Sequence, residues 1–172
     1  IGGIIGAVGK NNLGVAGMLQ DAEVCCLIAR VFGDDADTTT STSSVVAAVE
    51  WLEEQDAKVI NMSLGGSNRS QLLANALAEA SVNGVLVIAS SGNDGSTTLN
   101  YPASFPDVMS VAAVDSAYQH PEFSQSNSEV DIAAPGVGVL STVPLGSGSV
   151  GNVDLGDIAV SGAYLRYSVQ PG

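Results

Sequence analysis

Positive charge is scarce in this sequence. Five lysines and arginines stand against 18 aspartates and glutamates in 172 residues, a net charge of −13. The five (Lys10, Arg30, Lys58, Arg69 and Arg166) are scattered, so there is no basic stripe to neutralise a phosphate backbone, and nucleic acid is excluded as a partner. Long apolar runs are missing as well. Nothing approaches the roughly 18 residues that a membrane span needs, and no charged-apolar-small leader pattern occurs, so no membrane partner is expected. Histidine occurs once, at His120 in a Tyr-Gln-His-Pro-Glu stretch. Such a residue is a solvated loop side chain unless a serine and a carboxylate meet it. The two cysteines, Cys25 and Cys26, are adjacent. Neighbours on a strand point to opposite faces, which suits neither a mutual disulfide nor a spaced metal site, and small buried side chains are the expectation. A G-x-S-x-G elbow and an S-x-x-K pair are absent. Gly2, Gly3 and Gly6 lack the preceding strand and the distant acidic residue of a dinucleotide fingerprint, so no organic cofactor is expected.

What is present reads as one folded α/β unit, with 45% hydrophobic residues and 20 glycines. The acidic surplus favours solubility and describes a solvated surface; saline surroundings or bound cations are compatible with it. Residues 1–8 resemble the buried end of a helix. Ile1 opens inside an apolar run without methionine or cap, so the natural chain is expected to begin upstream and the sequence to be an internal fragment. Residues 23–31 form a near-continuous apolar run, predicting a buried strand. Ser43 or Ser44 then caps a helix with Val45, Val49 and Leu52 inward. Residues 58–63 give a strand ending at Leu64-Gly65-Gly66. Residues 71–82 give a helix with Leu72, Leu73, Ala76, Leu77 and Ala80 as its buried stripe, closed by Gly84. Further strands are predicted over 85–89, 108–114 and 130–134. Tandem strand-helix-strand units from residue 23 to 89 imply a doubly wound parallel sheet. Residues 146–172, rich in Gly, Ser and Val, suggest β-structure of another kind.

The stretch 85–95 is the pivot. A buried strand runs into Ser91-Gly92-Asn93-Asp94-Gly95, and function in open α/β sheets gathers at such carboxyl ends. An amide delivered on a glycine turn suits a developing negative charge; a plain strand-to-loop turn uses the same residues. Between Gly9 and Val15 a tight polar loop brings carbonyls and asparagine oxygens close, which fits either calcium or ordinary turn chemistry.

Six segments in order carry a resemblance. Gly3-Ile4-Ile5-Gly6-Ala7, Asn12-Leu13-Gly14-Val15-Ala16-Gly17, Val59-Ile60-Asn61-Met62-Ser63-Leu64-Gly65-Gly66, Ala89-Ser90-Ser91-Gly92-Asn93, Tyr101-Pro102-Ala103 and Asp131-Ile132-Ala133-Ala134-Pro135-Gly136-Val137 resemble the subtilisin-like serine peptidases, or subtilases. The resemblance runs from Ile1 to about Pro144 and implies a parallel α/β fold, secretion, and endopeptidase cleavage of protein or peptide substrates through an acyl-enzyme. It assigns Asn93 as the oxyanion-hole amide. It makes Ser63, Leu64 and Gly65 the edge that pairs with substrate, and Ala89, Ser90, Ser91 and Gly92 the facing wall of the pocket for the residue before the cut, with Asn100 at its floor. Small walls imply room for a large apolar side chain and broad specificity, which Asn100 modifies. The family's aspartate and H-G-T-H-V-x-G histidine match no residue here, and neither does its G-T-S-M-A-x-P serine motif, so the triad is expected to be absent and the chain inactive by itself.

By the same resemblance, calcium is implied at two places. Gly9, Leu13 and Val15 carbonyls with the Asn11 side chain match part of a strong site, and Ala103, Phe105 and Val108 carbonyls with Asp131 match a weaker one. Tyr101-Pro102 matches a bond that is cis in relatives. Residues 1–145 are thus read as a partial catalytic domain, and 146–172 as the start of an inserted β-rich module or an unrelated tail. A peptide-binding scaffold that has shed its triad is the alternative, with a nucleotide-binding domain of similar architecture behind it. A truncated parallel sheet exposes an edge and apolar surface, so self-association is expected.

Overall fold

The computed structural model describes residues 1–10, 15–22, 24–33 and 39–142. It contains two compact units, one formed by Ile1–Ile28 with Gly136–Gly172 and the other by Ala29–Pro135. In the first, helix α1 (Gly2–Gly6) is followed by a chain reversal in which Gly17 N donates to Ala7 O at 2.8 Å and Met18 N to Ile4 O at 2.8 Å. The predicted β-structure of residues 146–172 lies outside the described residues.

The second unit is the α/β body. Its elements are α2 (Thr42–Glu54), β1 (Val59–Met62), α3 (Gln71–Val82), β2 (Leu86–Ser90), β3 (Val108–Val114) and β4 (Ile132–Pro135). The strands form one parallel sheet in the order β1-β2-β3-β4, with Val59 opposite Leu86, Val87 opposite Val108 and Val111 opposite Ile132. Each helix starts where a serine supplies an oxygen to an otherwise unpaired amide. Ser41 Oγ accepts from Ser44 N at 3.0 Å, and Ser70 Oγ accepts from Leu73 N at 3.3 Å. The cap of α2 is therefore Ser41, not Ser43 or Ser44, because the chain turns helical two to three residues earlier than the apolar spacing announces. After α3, Gly84 takes φ +86°, a conformation that costs other residues a Cβ clash, and lets the chain reverse into β2.

Burial alternates along the strands. Ile60, Met62, Val87 and Ala89 point into a core completed by Val45 and Val49 of α2, Leu73 and Leu77 of α3, and Phe105. The opposite residues of those strands, Val59 and Leu86, are exposed. Leu77 is fully enclosed at 0% exposure, whereas Leu72, predicted to share its stripe, is 56% exposed. Position 72 lies outside the arc that the sheet and α2 can cover, and helical spacing alone does not set the width of that arc.

Two further expectations are corrected. The run predicted as a strand over 23–31 forms none in its described residues, 24–31, and joins no ladder. Apolar character permits a strand, but only a paired backbone makes one. Cys25 and Cys26 are consequently exposed free thiols and not buried side chains. The first of the two tandem strand-helix-strand units therefore lacks its opening strand among the described residues, and β1-α3-β2 is the complete one.

Leu77→Ala is expected to cost about 2–5 kcal/mol in urea denaturation, the range for a buried leucine that leaves a cavity. Leu72→Ala should stay within about 0.5 kcal/mol of the parent.

Candidate active site

The end of β2 is held by its neighbours before it turns. Ser91 N donates to Val111 O at 2.9 Å, extending the β2–β3 ladder by one residue. Gly92 then adopts φ +114°, a region that is almost closed to residues with a Cβ. Three main-chain bonds fasten the turn to the segment after β3. Gln125 N donates to Gly92 O at 3.1 Å, Gly95 N to Phe123 O at 2.8 Å, and Ser126 N to Ser96 O at 3.1 Å. Gly95, at φ +60°, has no room for a side chain, since a Cβ there would lie 2.2 Å from Glu122 O. Asn93 sits at the apex, exposed, and its amide makes no hydrogen bond among the described residues. A held backbone that presents an uncommitted amide is the arrangement an anion-stabilising donor needs.

A second segment meets this turn from β1. The chain leaves Met62 through Ser63, Leu64 and Gly65, and Gly66 forms an antiparallel bridge to Tyr101, with N-to-O distances of 2.9 and 2.8 Å. The bridge brings Asn100 beneath Gly65. Asn100 is nearly buried, its backbone N donates to Ser104 Oγ at 3.1 Å, and its Nδ2 donates to Ser90 O at 3.4 Å. A Cβ on Gly65 would lie 2.4 Å from Asn100 Nδ2, and one on Gly92 would lie 3.3 Å from Asn100 Cγ. Gly65, Ser90, Gly92 and Asn100 are thus gathered around one amide. The Tyr101-Pro102 peptide is cis, as the resemblance implies.

Of the residues linked to calcium, Asn11 and Leu13 lie outside the described residues. Gly9 is closed in by the Gln20 side chain, whose Oε1 would be 1.5 Å from a Cβ there. Ala103, Phe105 and Val108 are buried, while Asp131 is exposed. Phe105 O accepts from Val108 N at 3.1 Å, and Asp131 Oδ2 accepts from Ser110 N at 2.7 Å. The oxygen chemistry of this set suits a hard cation. Among the described residues no three His, Cys, Asp or Glu side chains are grouped as a metal site.

Sequence reasoning passed over Gln125, which lies between β3 and β4. It is 2% exposed, its Nε2 donates to Thr98 O at 2.6 Å, and its carbonyl O accepts from Ser91 Oγ at 3.3 Å. A single glutamine among serines has no periodicity to betray its burial. His120, by contrast, is exposed in its loop as expected.

The model of the subtilase family, Peptidase_S8, matches residues 1–157. The chain belongs to the subtilase family. It is 38% identical over 144 residues to subtilisin BL of Lederbergia lenta, covering 84% of this chain and 52% of that protein. It is 34% identical over 168 residues to subtilisin E of Bacillus subtilis strain 168, covering 95% of this chain and 43% of that one. Among solved structures, the psychrophilic subtilisin-like protease Apa1 of the Antarctic psychrotroph Pseudoalteromonas sp. AS-11 superposes with TM-score 0.72 at 43% identity, over 81% of this chain and 32% of Apa1. The self-cleaved protease domain of PatA gives TM-score 0.72 at 29% identity, over 82% of this chain and 54% of that domain. The chain spans about half, or less, of the length of these relatives. A subtilase sheet accounts for the parallel order seen here and for the position of the turn at its carboxyl edge.

Gly92→Ala is expected to destabilise the fold by about 1–3 kcal/mol through its φ alone, with the crowding by Gln125 adding to that. Gly66, around which a Cβ meets nothing within 4 Å, should accept alanine within about 1 kcal/mol. Urea titration of the two variants checks the contrast.

Proposed function

We propose that this chain is the central part of the catalytic domain of a secreted subtilisin-like serine endopeptidase, carrying its oxyanion donor and substrate-binding segments. One observation carries the reading. Asn93 stands uncommitted at the apex of a turn whose backbone is fastened on both sides, next to the cluster of Gly65, Ser90, Gly92 and Asn100. An extended peptide lies between Ser63-Leu64-Gly65 and Ala89-Ser90-Ser91-Gly92 by strand addition, with main-chain bonds setting its register. Acyl transfer turns the scissile carbonyl oxygen into an oxyanion, and the Asn93 amide donates to that oxygen more strongly than to the ground-state carbonyl. Asn100 forms a polar floor against Gly65, which makes the pocket shallower than its small walls alone suggest.

In this reading the nucleophile, general base and orienting aspartate come from segments outside this sequence, and the isolated chain does not hydrolyse peptides. Ala103, Phe105 and Val108 carbonyls with Asp131 hold a calcium ion, and Gly9, Asn11, Leu13 and Val15 contribute part of a second site. The exposed Val59, Leu86 and Ile132 are apolar area that the isolated chain buries by self-association.

A fluorophosphonate probe should label no serine in the isolated chain and a single serine in the full-length enzyme; specific labelling of the isolated chain would refute the missing-triad part of the reading. In the full-length enzyme, Asn93→Ala should lower kcat by about 10²- to 10³-fold, the loss measured for the corresponding donor of subtilisin, with KM nearly unchanged. An unchanged kcat would remove Asn93 from the mechanism. Sedimentation of the isolated chain should show mass rising with concentration, and a monomer throughout would count against self-association.

A further inference from the structure

We propose that Gln125 is a positioning residue that sets the orientation of Asn93 by fixing the backbone of its turn. The inference rests on the reading of Asn93 as oxyanion donor. Gln125 is among the most enclosed side chains of the unit, at 2% exposure. An enclosed amide is costly unless its polar atoms are engaged. Its Nε2 reaches Thr98 O at 2.6 Å, yet its Oε1 is buried with no hydrogen-bond partner. That unpartnered oxygen is aimed at Gly92, where a Cβ would lie only 1.6 Å away. The main chain of the same residue acts on the same turn, with Gln125 N donating to Gly92 O at 3.1 Å and Gln125 O accepting from Ser91 Oγ at 3.3 Å.

One residue therefore touches the turn at Ser91 and Gly92, immediately before Asn93, and at Thr98 beyond it. The side chain of Asn93 is exposed and makes no hydrogen bond among the described residues, so nothing at the amide itself fixes its direction. The direction is inherited from the peptide planes on either side. Gln125 Oε1 fills the space that would allow Gly92 to relax, and Nε2 ties down the loop beyond the turn at Thr98. A leucine or methionine would fill the volume without the bond to Thr98, and the buried carbonyl is tolerated because the position serves geometry more than packing. Donors of this kind lose their effect when displaced by fractions of an ångström.

The test is a double-mutant cycle in the full-length enzyme, with kcat and KM for one peptide substrate normalised to fluorophosphonate-titrated sites. Gln125→Met should lower kcat about tenfold or more with KM changed less than about threefold, because the loss is felt only in the transition state. In an Asn93→Ala background the same substitution should change kcat by less than about twofold, since an indirect effect disappears with the group it acts through. An equal fall in both backgrounds, or a lowered Tm with kcat intact, would overturn the proposal and leave Gln125 a packing residue. Should Gln125→Met not fold, Gln125→Asn, which keeps the amide but is too short to reach Thr98, is put through the same cycle under the same criteria. Failure of the underlying reading has a different signature: Asn93→Ala alone then leaves kcat unchanged, which overturns both statements together.

Discussion

The parallel pairing of β2 on both of its sides is the constraint from which the rest of this unit follows. Strand β2 lies between β1 and β3, so its register is set twice, by Val59 opposite Leu86 and by Val87 opposite Val108. A slip of one residue would send Val87 and Ala89 out of the core and bring Leu86 in, inverting every side chain on the strand. With that register fixed, the end of β2 falls where Val111 O can take one more amide, that of Ser91, and no further. The turn at Gly92 begins because the ladder ends, and the position of Asn93 follows from hydrophobic burial four to six residues earlier.

Around that turn the chemistry is built mainly from backbone and amides. Asn100 and Gln125, both buried, approach Gly92 and take up the space a side chain there would need. Neutral amides suit this work, since they orient peptide planes through hydrogen bonds without burying a net charge beside the turn. Membership of the subtilase family and the similarity to solved proteases of that family agree with this arrangement at the level of fold.

Much of the fold was legible in the sequence because it was written in short-range terms. Helix α3 is bounded by Ser70 and Gly84, and its inward Leu73, Leu77 and Ala80 follow helical spacing. Strand β3 coincides with the apolar stretch 108–114. The turn at Gly92 was legible as a break, where the apolar run gives way to Ser91 and Gly92. What escaped was set by partners distant in the chain. The run at 24–31 has the composition of a strand but no ladder to join, and its cysteines stay exposed for that reason. Leu72 has the spacing of a core residue but faces away from the sheet. Gln125 has the composition of a surface loop, and it is buried only because the Gly92 turn and Thr98 fold over it.

The antiparallel bridge between Gly66 and Tyr101 is the single reversal of direction in an otherwise parallel arrangement among the described residues. It closes a loop in the chain that contains α3, β2 and the Asn93 turn, so that the segment entering at Gly66 and the one leaving at Tyr101 are stapled side by side. Residues 67–69 lie exposed just inside that staple, ahead of the Ser70 cap. Length can therefore be added there without moving either the strand or the turn. The loop at 67–69 is free to vary while the turn behind it stays in place, an insulation that comes from two backbone hydrogen bonds.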